Sequence, residues 1–136
     1  VHDLVEVYAG DTVTLGWDET VLQDKRERER AALARIKEEF QSVLPWVSET
    51  IEAYESLATP EARFVKTIDK ALPSISHALN GGVALRNLGY TRESLQVVRD
   101  KERDTSVHTY AIDQPAASAL RDALMDRVYA SYDAPK

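Results

Sequence analysis

Val1, Leu4, Val5 and Tyr8 recur at helical spacing at the head of the chain, and Gly10 stands where a helix would stop. On that helix His2 and Glu6, four residues apart, share a face. The stretch AGDTVTLGWDET lacks such a period and reads as a loop. From Asp24, the segment DKRERERAALARIKEEFQSVL carries Leu33, Ile36, Phe40 and Val43/Leu44 as an apolar stripe on an otherwise charged helix. Its Asp24/Arg28 and Lys25/Glu29 pairs suit an exposed opposite face. Pro45 fits a first helical position, and Val47, Ile51, Tyr54 and Leu57/Ala58 trace the next stripe, which ends before Thr59-Pro60.

Thr59 as N-cap, Pro60 at the first helical position and Glu61 in the first turn predict a helix start leading into EARFVKTIDKALPSISHALNGG. Phe64, Val65, Ile68 and Leu72 mark its apolar face. Pro73 cannot donate to the carbonyl of Asp69 and crowds it, so a kink is expected there. Asn80-Gly81-Gly82 supplies residues suited to positive φ and ends the element. Thr91 caps a shorter helix over RESLQVVRDK; a polar stretch leads to Asp113-Gln114-Pro115, which begin a last helix with Leu120, Leu124, Val128 and Tyr132 along one side. Alternating patterns are confined to VTLGW and VHTYAI. The predicted fold is all-α, in a single domain spanning residues 1–136.

Composition narrows the partners. The 136 residues are 43% hydrophobic and 29% charged, ordinary for a globular domain. A net charge of −6 argues against a nucleic-acid backbone or an anionic membrane as main partner, since both call for a basic face. Without Cys there is neither a disulfide framework nor a thiolate metal site. No apolar run reaches a membrane span, and a cytoplasmic protein acting on a small ligand is the expectation.

The candidate chemistry lies in the opening HDLVEVYAGDT. His offers a borderline nitrogen and Asp a hard oxygen, a mixture suited to Mn²⁺, Co²⁺, Fe²⁺, Ni²⁺ or Zn²⁺ with positions left for water. Such a cation lowers the pKa of bound water and polarises a phosphoryl oxygen. Glu6, one turn on, is placed to orient or deprotonate that water, and Asp11 sits on a short loop within reach of the same pocket.

HDLVEVYAGDT, the charged DKRERE helix start and TPEARFVKTIDKALP together resemble the HD-domain phosphohydrolases, and within them the branch of YfbR-type 5′-deoxynucleotidases and HD-domain-containing protein 2-like eukaryotic relatives. The resemblance implies a helical HD-domain bundle holding a divalent metal, Mg²⁺ included, through His2, Asp3 and Asp69. It implies that Glu6 and Asp11 handle the attacking water and the leaving group. It further implies hydrolysis of (deoxy)nucleoside 5′-monophosphates by a homodimer. The same superfamily includes hydrolases of nucleoside triphosphates and phosphodiesters, and the rival from another class is a non-catalytic module that binds a nucleotide or a partner. The family's first metal-binding His, and in this branch a phosphate-gripping Arg, come from helices ahead of the HD pair, so a further N-terminal region is expected before Val1.

Other motifs read more plainly. His77, eight residues beyond Asp69, lies about 12 Å along the helix axis, too far to share a metal. His108 has no partner signature, and DKRERER reads as a solvated face. Trp17 and Trp46 read as core or interface anchors, with Trp17 the better placed to meet a nucleobase.

Overall fold

A computed structural model describes residues 1–12 and 19–133, with the side chains of 106–108 left undescribed. Every regular element among the described residues is helical, so the fold is all-α. The chain divides into two compact units, residues 1–56 and 57–136.

The first unit opens with a 3₁₀ turn, His2–Val5, that continues into α1, Glu6–Ala9. The sequence pattern pointed to one α-helix over this stretch. The tighter winding belongs to an uncapped start, since Val1 offers no side-chain acceptor to the first turn. Gly10 closes α1 at φ 75°, donating to the Glu6 carbonyl at 2.8 Å in a conformation that side chains disfavour. Helix α2, Glu19–Phe40, begins five residues before the expected Asp24. Glu19 stands in its first turn, where a carboxylate suits the helix dipole, and pairs with Arg26.

Helix α2 ends at Phe40, and a turn bonded by Leu44 to the Phe40 carbonyl at 2.7 Å leads directly into α3, Pro45–Ser56. The core of this unit is Val5, Ala9, Ala32, Ile36, Val47 and Ile51, with Tyr8 and Leu33 packed on it. The two stripes are thus buried where expected through Ile36, Val47, Ile51 and Tyr54, with Leu33 partly buried. The first stripe fails from Phe40 onward, where the helix ends and Phe40, Val43 and Leu44 are exposed, and the second fails at Ala58, which is exposed after α3 has ended.

The second unit begins with Leu57 in the left-handed region at φ 52°, the C′ position that ends α3. Helix α4, Pro60–Leu79, starts as expected, with Thr59 Oγ1 accepting from the Ala62 amide at 3.2 Å. It stays helical through Pro73. Its buried face differs from the expected one. Ala62, Thr67, Ala71, Ser74 and Ala78 are buried, whereas Phe64, Val65 and Leu72 are exposed.

Gly81 and Gly82 take positive φ as anticipated, but Asn80 stays at φ −88°. A five-residue helix, α5, Val83–Asn87, follows that the sequence pattern did not suggest. Thr91 and Ser94 cap α6 reciprocally, each accepting from the other's backbone amide, at 3.2 and 2.9 Å. Helix α6, Arg92–Thr109, outlasts the expected RESLQVVRDK by a further two turns.

Helix α7 runs Pro115–Asp133, with Val128 and Tyr129 buried. Arg99 of α6 donates to Asp122 at 3.0 Å and Asp126 at 2.9 Å, and Tyr129 to the Leu95 carbonyl at 3.3 Å. These bonds join α6 to α7. No helix among the described residues is long and apolar enough to cross a membrane.

Candidate functional site

The uncapped first turn brings His2 and Asp3 together: imidazole Nε2 lies 3.0 Å from Asp3 Oδ1. The His2 ring stacks on Tyr54 of α3, centroids 4.1 Å apart at 30° between planes, which fixes the imidazole against a buried aromatic. Asp3 is largely exposed and so keeps an open side toward solvent. Sequence reasoning placed Tyr54 in the core stripe and carried no sign of this second role. The stacking also means that His2 faces α3, while Glu6 feels Lys25 and Glu29 of α2.

Glu6 is the electrostatic centre of the stretch. Partial burial raises its pKa above the usual carboxylate value, and the negative charges of Asp11 and then Asp3 raise it further. Lys25 offsets part of this. Asp11, just past the Gly10 turn, lies within electrostatic reach of Glu6. Of the five residues singled out in the sequence, His2 and Asp3 are in contact, and Glu6 feels the charges of Asp11 and Asp3. The fifth, Asp69, is half-buried on α4 in the second unit.

His2 and Asp3 would offer an imidazole nitrogen and a carboxylate oxygen side by side, donor types that divalent cations take. The pair fits two coordination positions. Among the described residues, no three His, Cys, Asp or Glu side chains form a group that could hold a metal ion. The structure thus supplies half a donor set rather than a finished one.

A family model described as HD domain matches residues 1–111. The chain belongs to the HD-domain family. The match crosses from the first unit into the second, and it brings with it the general expectation of divalent-metal binding and metal-dependent phosphohydrolase chemistry. No curated protein and no solved structure matches the chain.

The remaining candidates in this HD domain sort themselves by surroundings. His77 is half-buried on α4; burial lowers its pKa, and its Nδ1 finds no hydrogen-bond partner among the described residues, as for a neutral structural imidazole. Trp46 is 52% exposed and is not a core anchor. Trp17 lies outside the described residues, as does the side chain of His108. Most of DKRERER is the solvated face expected, with Lys25 paired to Glu29. Arg28 departs from it, for its guanidinium turns to the loop after α1.

Proposed function

We propose that this HD domain is a 5′-nucleotidase acting on (deoxy)nucleoside 5′-monophosphates, with His2, Asp3 and Asp69 as metal ligands and Glu6 and Asp11 as its acid–base pair. The contact of His2 with Asp3, beside a Glu6 whose pKa is raised by burial and by the charges of Asp11 and Asp3, is the observation that carries this reading. A divalent cation bound there supplies Lewis acidity, polarising a phosphoryl oxygen and easing the ionisation of water.

The side chains of the chain do the rest. Glu6, a stronger base than an ordinary carboxylate, takes a proton from the attacking water as its oxygen bonds to phosphorus. The bond from phosphorus to the ester oxygen breaks on the opposite side, and the proton accepted by Glu6 passes by way of Asp11 to the departing oxygen, which leaves as the nucleoside hydroxyl and returns both carboxylates to their starting form. Stacking on Tyr54 keeps the His2 ring from rotating out of the site. The resemblance to the YfbR-type branch supports the nucleotide as substrate, a single HD domain over the whole chain, a homodimer and a cytoplasmic setting.

The test is phosphate release from a panel of nucleoside mono- and triphosphates and phosphodiesters, with Mn²⁺ or Co²⁺ added and Asp69→Ala as control. Turnover of monophosphates that Asp69→Ala abolishes is the expected result. Turnover of triphosphates or diesters alone would overturn the substrate. No turnover with any metal would overturn the activity and favour the binding-module reading.

A further inference from the structure

We infer that Arg28 is the positioning residue for Asp11, an inference that rests on the roles proposed for Glu6 and Asp11. Three of its nitrogens are committed. Nη1 donates to the carbonyl of Ala9, the last residue of α1; Nη2 donates to Thr12 Oγ1 at 2.9 Å; and Nε donates to Asp24 Oδ2 at 3.0 Å, one turn back on its own helix. Residues 9 and 12 bracket Gly10 and Asp11, so one planar group holds both ends of the turn that carries the carboxylate.

Geometry favours arginine for this work. Its guanidinium presents donors in a fixed fork, so the spacing between the Ala9 oxygen and the Thr12 oxygen is set by a rigid plane and not by a flexible stem. Asp24 holds the third edge and keeps that plane from swinging away. The charge also suits the place, because the end of a helix presents unpaired carbonyls and a partial negative charge. Gly10 leaves the approach open: a Cβ built there would meet Arg28 Nη1 at 3.9 Å, an ordinary contact, while φ 75° excludes most side chains for conformational reasons. The consequence is that Asp11 stays close enough to raise the Glu6 pKa.

The same residue could be merely structural, tying α2 to α1, and the test separates the two. In the full chain with Mn²⁺ and a nucleoside monophosphate, Arg28→Ala and Arg28→Lys are each expected to lower kcat about 100-fold, the scale of a misplacement near 1 Å, with KM changed less than about threefold. Lysine keeps the charge but not the fork, so it should not rescue. In an Asp11→Asn background, Arg28→Ala should cost less than about twofold further, because its effect runs through the side chain already removed. A loss of the same size in both backgrounds would overturn the inference.

A readout without turnover accompanies it. Backbone ¹⁵N relaxation at Gly10, Asp11 and Thr12 should report a rigid turn that becomes flexible in both Arg28 variants, with α6 and α7 unchanged. A turn that stays rigid without Arg28, or is already flexible with it, would overturn the inference. Should the parent protein hydrolyse nothing, the proposed function falls, and the relaxation result alone decides whether Arg28 holds Asp11.

Discussion

Helix α4 of the second unit buries itself in the opposite way to α2 and α3 of the first. In the first, the large apolar stripe faces inward: Ile36 is 4% exposed, Val47 7% and Ile51 0%. In the second, α4 turns its large side chains outward, Phe64 at 48% and Leu72 at 53% exposed, and buries Thr67, Ala71, Ser74 and Ala78 on a face about 100° round the helix. Helix α4 packs against α7, and small residues let two helix axes approach at the near end of the usual 8–10 Å range. Hydrophobic period reveals that a helix has a face. Which face is buried depends on how close its neighbour comes.

Substitutions can break that contrast, and the largest effect is expected in the first unit. Ile51→Ala removes a fully buried side chain and should cost about 2–5 kcal/mol by denaturant melting. On α4 the order of sensitivity should invert. Ala71→Leu forces bulk into a position 2% exposed and should cost about 1–3 kcal/mol, while Leu72→Ala, one residue on, should stay within about 0.5 kcal/mol. Equal costs at 71 and 72 would show that the small-residue face is not the packed one. Gly82→Ala comes next, at about 1–2 kcal/mol. Its φ of 72° is strained for alanine, and the new Cβ would lie 3.1 Å from Ser131 Oγ and 3.2 Å from the Tyr132 ring.

The smallest expected effect is electrostatic and runs in opposite directions in the two units. Glu6 has a raised pKa, so the fold prefers its protonated form; that stability is full below the ordinary glutamate value and is lost as pH rises through the folded pKa. Glu6→Gln should therefore raise Tm slightly at pH 7 while abolishing turnover. Asp113 is the reverse case. Arg63 grips it through Nε and Nη2 and lowers its pKa, so its contribution is present above the ordinary aspartate value and lost as pH falls through the lowered one. Asp113→Asn should lower Tm at pH 7, and the difference should vanish in strong acid.

Much of the helical frame was legible because local chemistry decided it. The Thr59-Pro60 start, the Thr91 cap and the Gly10 and Gly81-Gly82 stops all act within a turn of themselves. What stayed hidden depended on distant neighbours. The buried face of α4 answers to α7, and α2 begins early at a Glu19 that pairs with Arg26 two turns on. At the candidate site, the contact of His2 with Asp3 and the nearness of Glu6 to acidic neighbours could be expected because these residues are close in the chain. The stacking of His2 on Tyr54 and the reach of Arg28 to residues 9 and 12 could not, since both cross from one helix to another.

The central claim is that His2, Asp3 and Asp69 ligate one divalent cation, and Mn²⁺ titration of the purified protein by calorimetry tests it most directly. Asp3→Asn and Asp69→Asn should each weaken the same saturable site by at least about tenfold, with no added loss of stability in the metal-free protein. A site that keeps its full affinity in Asp69→Asn while weakening in Asp3→Asn would contradict the claim.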